Sequence, residues 1–131
     1  VFEDYNKTKA FEEELQKEDE AKRDERAAMV DDIKKHRDEL ELLSSDKKAA
    51  KEKVIETKVQ ELQAFDRDWR LSLRRSRDEG LRDIIAEIEE VISTFGKDKG
   101  YDYIFNDRIL LFKPDNQDIT QKIVDLLNAK K

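Results

Sequence analysis

The sequence has no cysteine, one proline, three glycines and one histidine in 131 residues. Without cysteine there is no disulfide, no zinc–thiolate cluster and no thiol nucleophile. Long apolar runs are missing too: none approaches the ~20 residues needed to span a bilayer as a helix. No signal-peptide pattern is visible. Hydrophobic residues are scarce at 37% of the chain, below the ~45–50% of ordinary domains, which excludes one large compact core. Low glycine and proline, with apolar residues at helical spacing, exclude a disordered chain as well. Elongated helices remain.

What is abundant is charge, at 46% of residues with a net charge of −6. The acidic balance argues against a nucleic-acid partner and against general binding to anionic membranes. Residues 2–43 contain neither glycine nor proline. Phe11, Leu15, Met29, Ile33, Leu40 and Leu43 share one helical stripe, interrupted where its positions fall on Glu18, Lys22 and Glu25. A helix with so thin a stripe needs a partner helix or salt bridges. Ser44-Ser45-Asp46 suits a turn and an N-cap. A second helix is expected from about 47 to 95. Its stripe holds Ala50, Val54, Leu62, Phe65 and Trp69, then thickens beyond Gly80 to Leu81, Ile84, Ile85, Ile88, Val91, Ile92 and Phe95. That thickening marks the start of a real core. Gly96 and Gly100 supply stop signals.

Residues 101–105 and 108–112 are rich in aromatic and β-branched residues and flank Asn106-Asp107. They read as a β-hairpin, although Asp107 suits a two-residue primed turn less well than glycine. Asp118 is placed to cap a last helix, with Gln121 at the capping-box position and Ile119, Ile123, Leu126 and Leu127 on its apolar face. An isolated two-stranded hairpin is marginal in water, so this head calls for another strand or other subunits.

If the two long helices pack antiparallel, facing residues have numbers summing to about 90. Glu12, Glu13, Glu14, Glu18, Asp19 and Glu20 then lie opposite Arg70, Arg74, Arg75 and Arg77. Acid facing base disfavours slipped or parallel pairings, adding specificity more than stability. The turn is locally basic, with Lys34, Lys35, Arg37, Lys47, Lys48, Lys51 and Lys53. It reads either as a tip that attracts acidic segments of a partner or an anionic membrane surface, or as a solvated end that repels its neighbours, and charge runs are usually solvated faces.

No phosphate-binding glycine loop, H-E-x-x-H or G-x-S-x-G motif occurs. The carboxylates sit on exposed helices without a pocket, so an enzyme is not expected, nor any cofactor or metal. His36, among Lys35, Arg37 and Asp38, reads as a surface histidine; Phe65 and Trp69 read as helix packing.

The order helix, turn, helix, β-hairpin, helix resembles the Skp/OmpH family of periplasmic chaperones. Val1-Phe2-Glu3-Asp4-Tyr5-Asn6-Lys7-Thr8 is similar to the segment after that family's first strand. Gly100-Tyr101-Asp102-Tyr103-Ile104-Phe105 resembles its glycine-led strand, and Ile109-Leu110-Leu111-Phe112 the returning strand. Asp118-Ile119-Thr120 is the most specific match. The family's first strand is absent from this chain.

The resemblance implies a homotrimer joined through a β body, located in the periplasm, whose helical arms hold unfolded outer-membrane proteins without ATP. The resulting expectation is a mainly α chain with a small β element (α+β). A single domain comprises a helical hairpin arm at 12–79 with its turn near 44–46. Residues 1–11 and 80–131 form a head with a β-hairpin at 101–112 and a helix at 118–128. Tyr101, Tyr103, Ile104, Phe105, Ile109, Leu110, Leu111 and Phe112 would form the head and trimer core. Barrel proteins expose apolar faces until they reach lipid. Candidate client contacts are Met29, Ile33, Leu40, Leu42, Leu43, Val54, Ile55 and Val59, with Leu42, Ile55 and Val59 favoured because they stand off the stripe. Arg74-Arg75-Ser76 resembles the arginine pair of a lipopolysaccharide site in some relatives. That site also uses a lysine without a secure equivalent here, and well-studied relatives are basic overall. The competing readings are a structural coiled-coil spacer or tether and a prefoldin-like holdase. In prefoldins the β segment lies between the long helices, whereas here it follows them.

Overall fold

The computed structural model describes residues 1–130. Among these residues there are three α-helices and no strand: α1 spans Asn6–Glu41, α2 spans Ser45–Lys99 and α3 spans Thr120–Ala129. Single 3-10 turns occupy Asp107–Ile109 and Asp115–Gln117. The chain divides into two compact units. One comprises Val1–Glu14 with Asp78–Lys131, the other Leu15–Arg77, so each long helix contributes to both.

The first unit holds the larger core. Ile84, Ile88, Val91 and Phe95 recur every three or four residues on α2 and pack with Tyr5, Ile123 and Leu127. On α3 the buried face is Ile123, Val124 and Leu127, while Leu126 stands half in solvent. The start of α1 is closed by α3: the Asn6 amide donates to Asn128 Oδ1 (2.8 Å), and Asn128 Nδ2 donates to the Asp4 carbonyl (3.3 Å). One of the orphan donors of a helix N-terminus is thereby satisfied from 122 residues away. α2 continues through Gly96 and stops at Gly100. The Tyr101 amide returns to the Gly96 carbonyl (2.9 Å) and the Gly100 amide to that of Lys97 (3.3 Å), with Gly100 at φ +71°. This is a Schellman ending, and its usual hydrophobic contact is the Tyr101 ring stacked on Phe95.

The expected β-hairpin at 101–112 is not formed, and the α+β expectation gives way to an all-helical fold. The reason lies in the turn. A two-residue primed turn needs positive φ, and among the described residues no non-glycine residue has it. Asn106 sits at φ −70°, ψ 128°, and its side chain accepts the Arg108 amide (3.0 Å). The Ile109 amide then reaches the Asn106 carbonyl (3.2 Å), and the chain winds into a 3-10 turn. Lys113 ties this turn to the approach to α3, bonding Asp107 (3.1 Å) and Asp118 (2.6 Å). Nor, among the described residues, does a further strand lie alongside to support pairing. Tyr103, Phe105, Ile109, Leu110, Leu111 and Phe112 are consequently exposed, while Ile104 packs against the core.

Asp118 accepts the Thr120 amide (2.9 Å) just ahead of α3. Lys113 and Thr120 together hold its carboxyl well below the usual range. Gln121 turns forward to Asp125 (2.8 Å) instead of closing a capping box.

The second unit is an antiparallel pair of helices. α1 closes with 3-10-type bonds, Leu42 amide to Glu39 carbonyl (3.1 Å) and Leu43 amide to Leu40 carbonyl (3.3 Å). Ser44 then offers its carbonyl to the amides of Lys47 and Lys48 (3.0 and 3.1 Å), opening α2 with Asp46 in the first turn. A carboxylate there suits the positive end of the helix dipole.

Candidate functional site

Burial in the second unit follows a repeat of threes and fours. On α1 the shielded positions include Leu15, Asp19, Lys22, Arg26, Met29, Ile33, His36 and Leu40, and Leu43 continues the repeat in the turn. On α2 they include Ile55, Val59, Leu62, Phe65, Asp66, Trp69, Leu73 and Ser76. This is a heptad seam with polar residues at several inward positions. Arg26 meets Asp66 in a two-pronged bond, Nε to Oδ1 at 2.7 Å and Nη2 to Oδ2 at 3.1 Å. Such a fork fixes orientation as well as attraction. Lys22 places its ammonium 5.3 Å from the centre of the Phe65 ring, a cation–π contact. Lys58 bonds Asp32 (2.6 Å), and Lys51 bonds Glu39. The residue numbers of these pairs sum to about 90, an antiparallel register.

The seam is displaced from the stripe read in the sequence. Ile55, not Val54, turns inward and is buried, and Val59 is half-buried; Val54 is exposed. Between Leu15 and Met29 the inward positions are Asp19, Lys22 and Arg26, not Glu18 and Glu25.

The eight candidate contacts therefore separate. Ile33 is buried in the seam with Ile55, and Met29, Leu40, Leu43 and Val59 line it half-buried. Leu42, in the turn, is 87% exposed. Exposed Val30 and Leu71 also lie on the hairpin and were not singled out from sequence. Standing off the seam is the signal that could have found them. Arg74 and Arg75 are exposed on α2. In the first unit, α2 presents a shallow open groove lined by Leu81, Ile85 and Ala86 with Asp78, Arg82 and Glu89 at its borders. Among the described residues no three His, Asp or Glu side chains are arranged to hold a metal ion. No described helix is long and apolar enough to cross a membrane.

The family model for outer membrane protein (OmpH-like) matches residues 1–127. The chain belongs to the OmpH-like family. A search of curated proteins found no match. The OmpH-like match covers both units, including residues 1–8, 100–105, 109–112 and 118–120, where the sequence resemblance lies.

The electrostatics of the OmpH-like hairpin have a direct consequence. Arg26 lowers the Asp66 carboxyl, Lys58 lowers Asp32, and Lys51 lowers Glu39. In the first unit Lys7, and then Tyr5, lower Glu87, which Lys7 Nζ meets at 2.5 Å. A group with a depressed folded pKa stabilises the fold above its unfolded value and loses that contribution as pH falls through the folded value. The thermal midpoint is therefore expected to hold from neutral pH to just above 4.5, the ordinary glutamate value. It should fall steadily below 3.8, the ordinary aspartate value. Far-UV circular dichroism melts across this range measure it, and Asp66→Asn should flatten the profile. A midpoint indifferent to acid would show that these pairs add nothing to folding.

Proposed function

We propose that this OmpH-like chain is an ATP-independent holdase. It binds unfolded outer-membrane β-barrel proteins in the periplasm, as a homotrimer, and prevents their aggregation. Family membership over residues 1–127 carries the reading. Two features of the molecule support it. The hairpin bears dispersed exposed apolar residues, Val30, Leu42, Val54 and Leu71, among charged side chains. Such a surface offers many weak contacts in place of one tight pocket, which suits clients that differ in sequence and share alternating apolar faces. The exposed segment 103–112 leaves an apolar surface of the kind that marks an interaction site, and the copies of a trimer would cover it.

The test is light scattering of the full-length protein with a urea-unfolded barrel protein diluted into buffer without nucleotide. The expected result is a trimer that keeps the barrel protein soluble in a complex of defined mass. Leu42→Asp with Val54→Asp is expected to weaken capture several-fold while leaving the trimer intact. A protein that forms no complex and leaves barrel aggregation unchanged would instead be a coiled-coil spacer.

A further inference from the structure

Among the described residues of the second unit only two apolar side chains are buried, Ile33 of α1 at 6% and Ile55 of α2 at 9%. Each lies beside a cross-helix ion pair. Asp32, next to Ile33, accepts from Lys58, and Glu39 accepts from Lys51, four residues before Ile55. In both pairs α1 supplies the carboxylate and α2 the lysine. His36 sits on α1 between the two carboxylates, Nε2 3.7 Å from Asp32 Oδ1 and Nδ1 3.6 Å from Glu39 Oε2. This end of the hairpin is thus two isoleucines closed on either side by a charge pair.

The two kinds of contact respond differently to solution conditions. Ion pairs open to water are weak individually and are screened by salt. Apolar contact between two isoleucines is not screened, but it covers a small area. Local opening of a segment is easy where few apolar contacts are buried and the polar ones face water. A ligand that binds only the opened segment draws on that open population.

We propose that Asp32–Lys58 and Glu39–Lys51 form an ionic clasp over Ile33 and Ile55. Its opening presents those isoleucines, with Met29, Leu40 and Val59, to an unfolded apolar-rich chain. This deepens the holdase reading and rests on it: the reading supplies the client, and the clasp sets when the seam can meet it. Apparent affinity then scales with the fraction of hairpins that are open. It rises when the pairs are weakened and falls when the helices are tied together.

The experiment uses the full-length protein and two variants. Asp32→Asn with Glu39→Gln removes both charges and keeps the side-chain shapes. Glu39→Cys with Lys51→Cys places the only two thiols in the chain across the clasp, where a short bismaleimide ties the helices. Hydrogen exchange over residues 29–62 reads opening, and retention of a urea-unfolded barrel protein in solution reads capture. The neutralised variant is expected to exchange several-fold faster and to hold the client several-fold more tightly. The bridged variant should exchange more slowly and lose capture several-fold relative to the same variant unbridged. The combination Asp32→Lys with Lys58→Asp restores an ion pair and should behave as the parent.

Capture equal in bridged and unbridged protein would overturn the clasp while leaving the holdase reading in place. Exchange unchanged by Asp32→Asn with Glu39→Gln would overturn it as well. Failure of the parent and every variant to hold the client would overturn the holdase reading, and with it the client role of the clasp.

Discussion

Leu127→Ala is expected to lower the stability of the first unit by about 2–5 kcal/mol, the range for removing a fully buried leucine side chain. Leu127 is 0% exposed, and Ile84 and Ile123 beside it in the core are each 2% exposed. The loss has two parts: burial of the deleted carbons, and the cavity left when neighbours cannot collapse into it. Collapse is restricted here because α3 is tied down at the very next residue. The Asn128 side chain holds the start of α1 through both the Asn6 amide and the Asp4 carbonyl. The cost is large against the 5–15 kcal/mol that separates folded from unfolded chains in general. Urea unfolding followed by far-UV circular dichroism measures it. Leu126→Ala, one residue away at 45% exposure, is expected to shift the midpoint little. Equal midpoints for Leu127→Ala and the parent would mean that α3 does not dock on this core.

The same core shows what sequence periodicity reveals and where it stops. Ile84, Ile88, Val91 and Phe95 were legible because four apolar residues at helical spacing in a charged chain have one explanation: a face turned inward. The helical hairpin was legible from the same spacing, and its antiparallel register from the polar turn near residues 44–46, whereas the cross-helix ion pairs fall on Arg26, Asp32 and Glu39 of α1 and not on the acidic block at 12–20. The displacement from Val54 to Ile55 was not. Near residue 55 the chain offers adjacent apolar residues, and which one turns inward depends on the step taken between Leu62 and Lys51. Only the partner helix decides that. Residues 101–112 misled for a different reason. Aromatic and β-branched residues fit a pleated sheet, but a strand is defined by its neighbour, and Asn106 used its side chain to start a 3-10 turn.

Of the candidate contacts, the exposure of Leu42 was legible because it stands off the α1 stripe, between Leu40 and Leu43. The ion pairs that flank Ile33 and Ile55 lie 12 and 26 positions apart in sequence. They became identifiable only once the register was established, since any of several lysines could have met either carboxylate. The Asn128 cap, 122 residues from its partner, left no local signal at all.

Gly80→Ala is expected to destabilise the protein by about 1–3 kcal/mol, the usual cost of overpacking, against the ordinary trend for glycine in a helix. Gly80 lies inside α2, where replacing glycine by alanine normally gains up to about 1 kcal/mol of helix propensity. A Cβ at this position, however, would lie 2.2 Å from both Cε2 and Cζ of Phe11. The ring packs against the first unit's core, so it must leave that contact to make room. In sequence Gly80 marks only the place where the apolar pattern thickens. In the fold it is the gap in α2 that receives an aromatic ring from α1. The two terms can be separated by a double-mutant cycle. Phe11→Ala alone loses the ring's packing, but in that background Gly80→Ala no longer meets an obstacle and should become stabilising. The reversal of sign is the result to look for in urea midpoints of the four proteins. If Gly80→Ala stabilises equally with and without the Phe11 ring, the close approach is absent and α1 meets α2 elsewhere. If the sign reverses, one glycine and one phenylalanine fix how the start of α1 seats on α2.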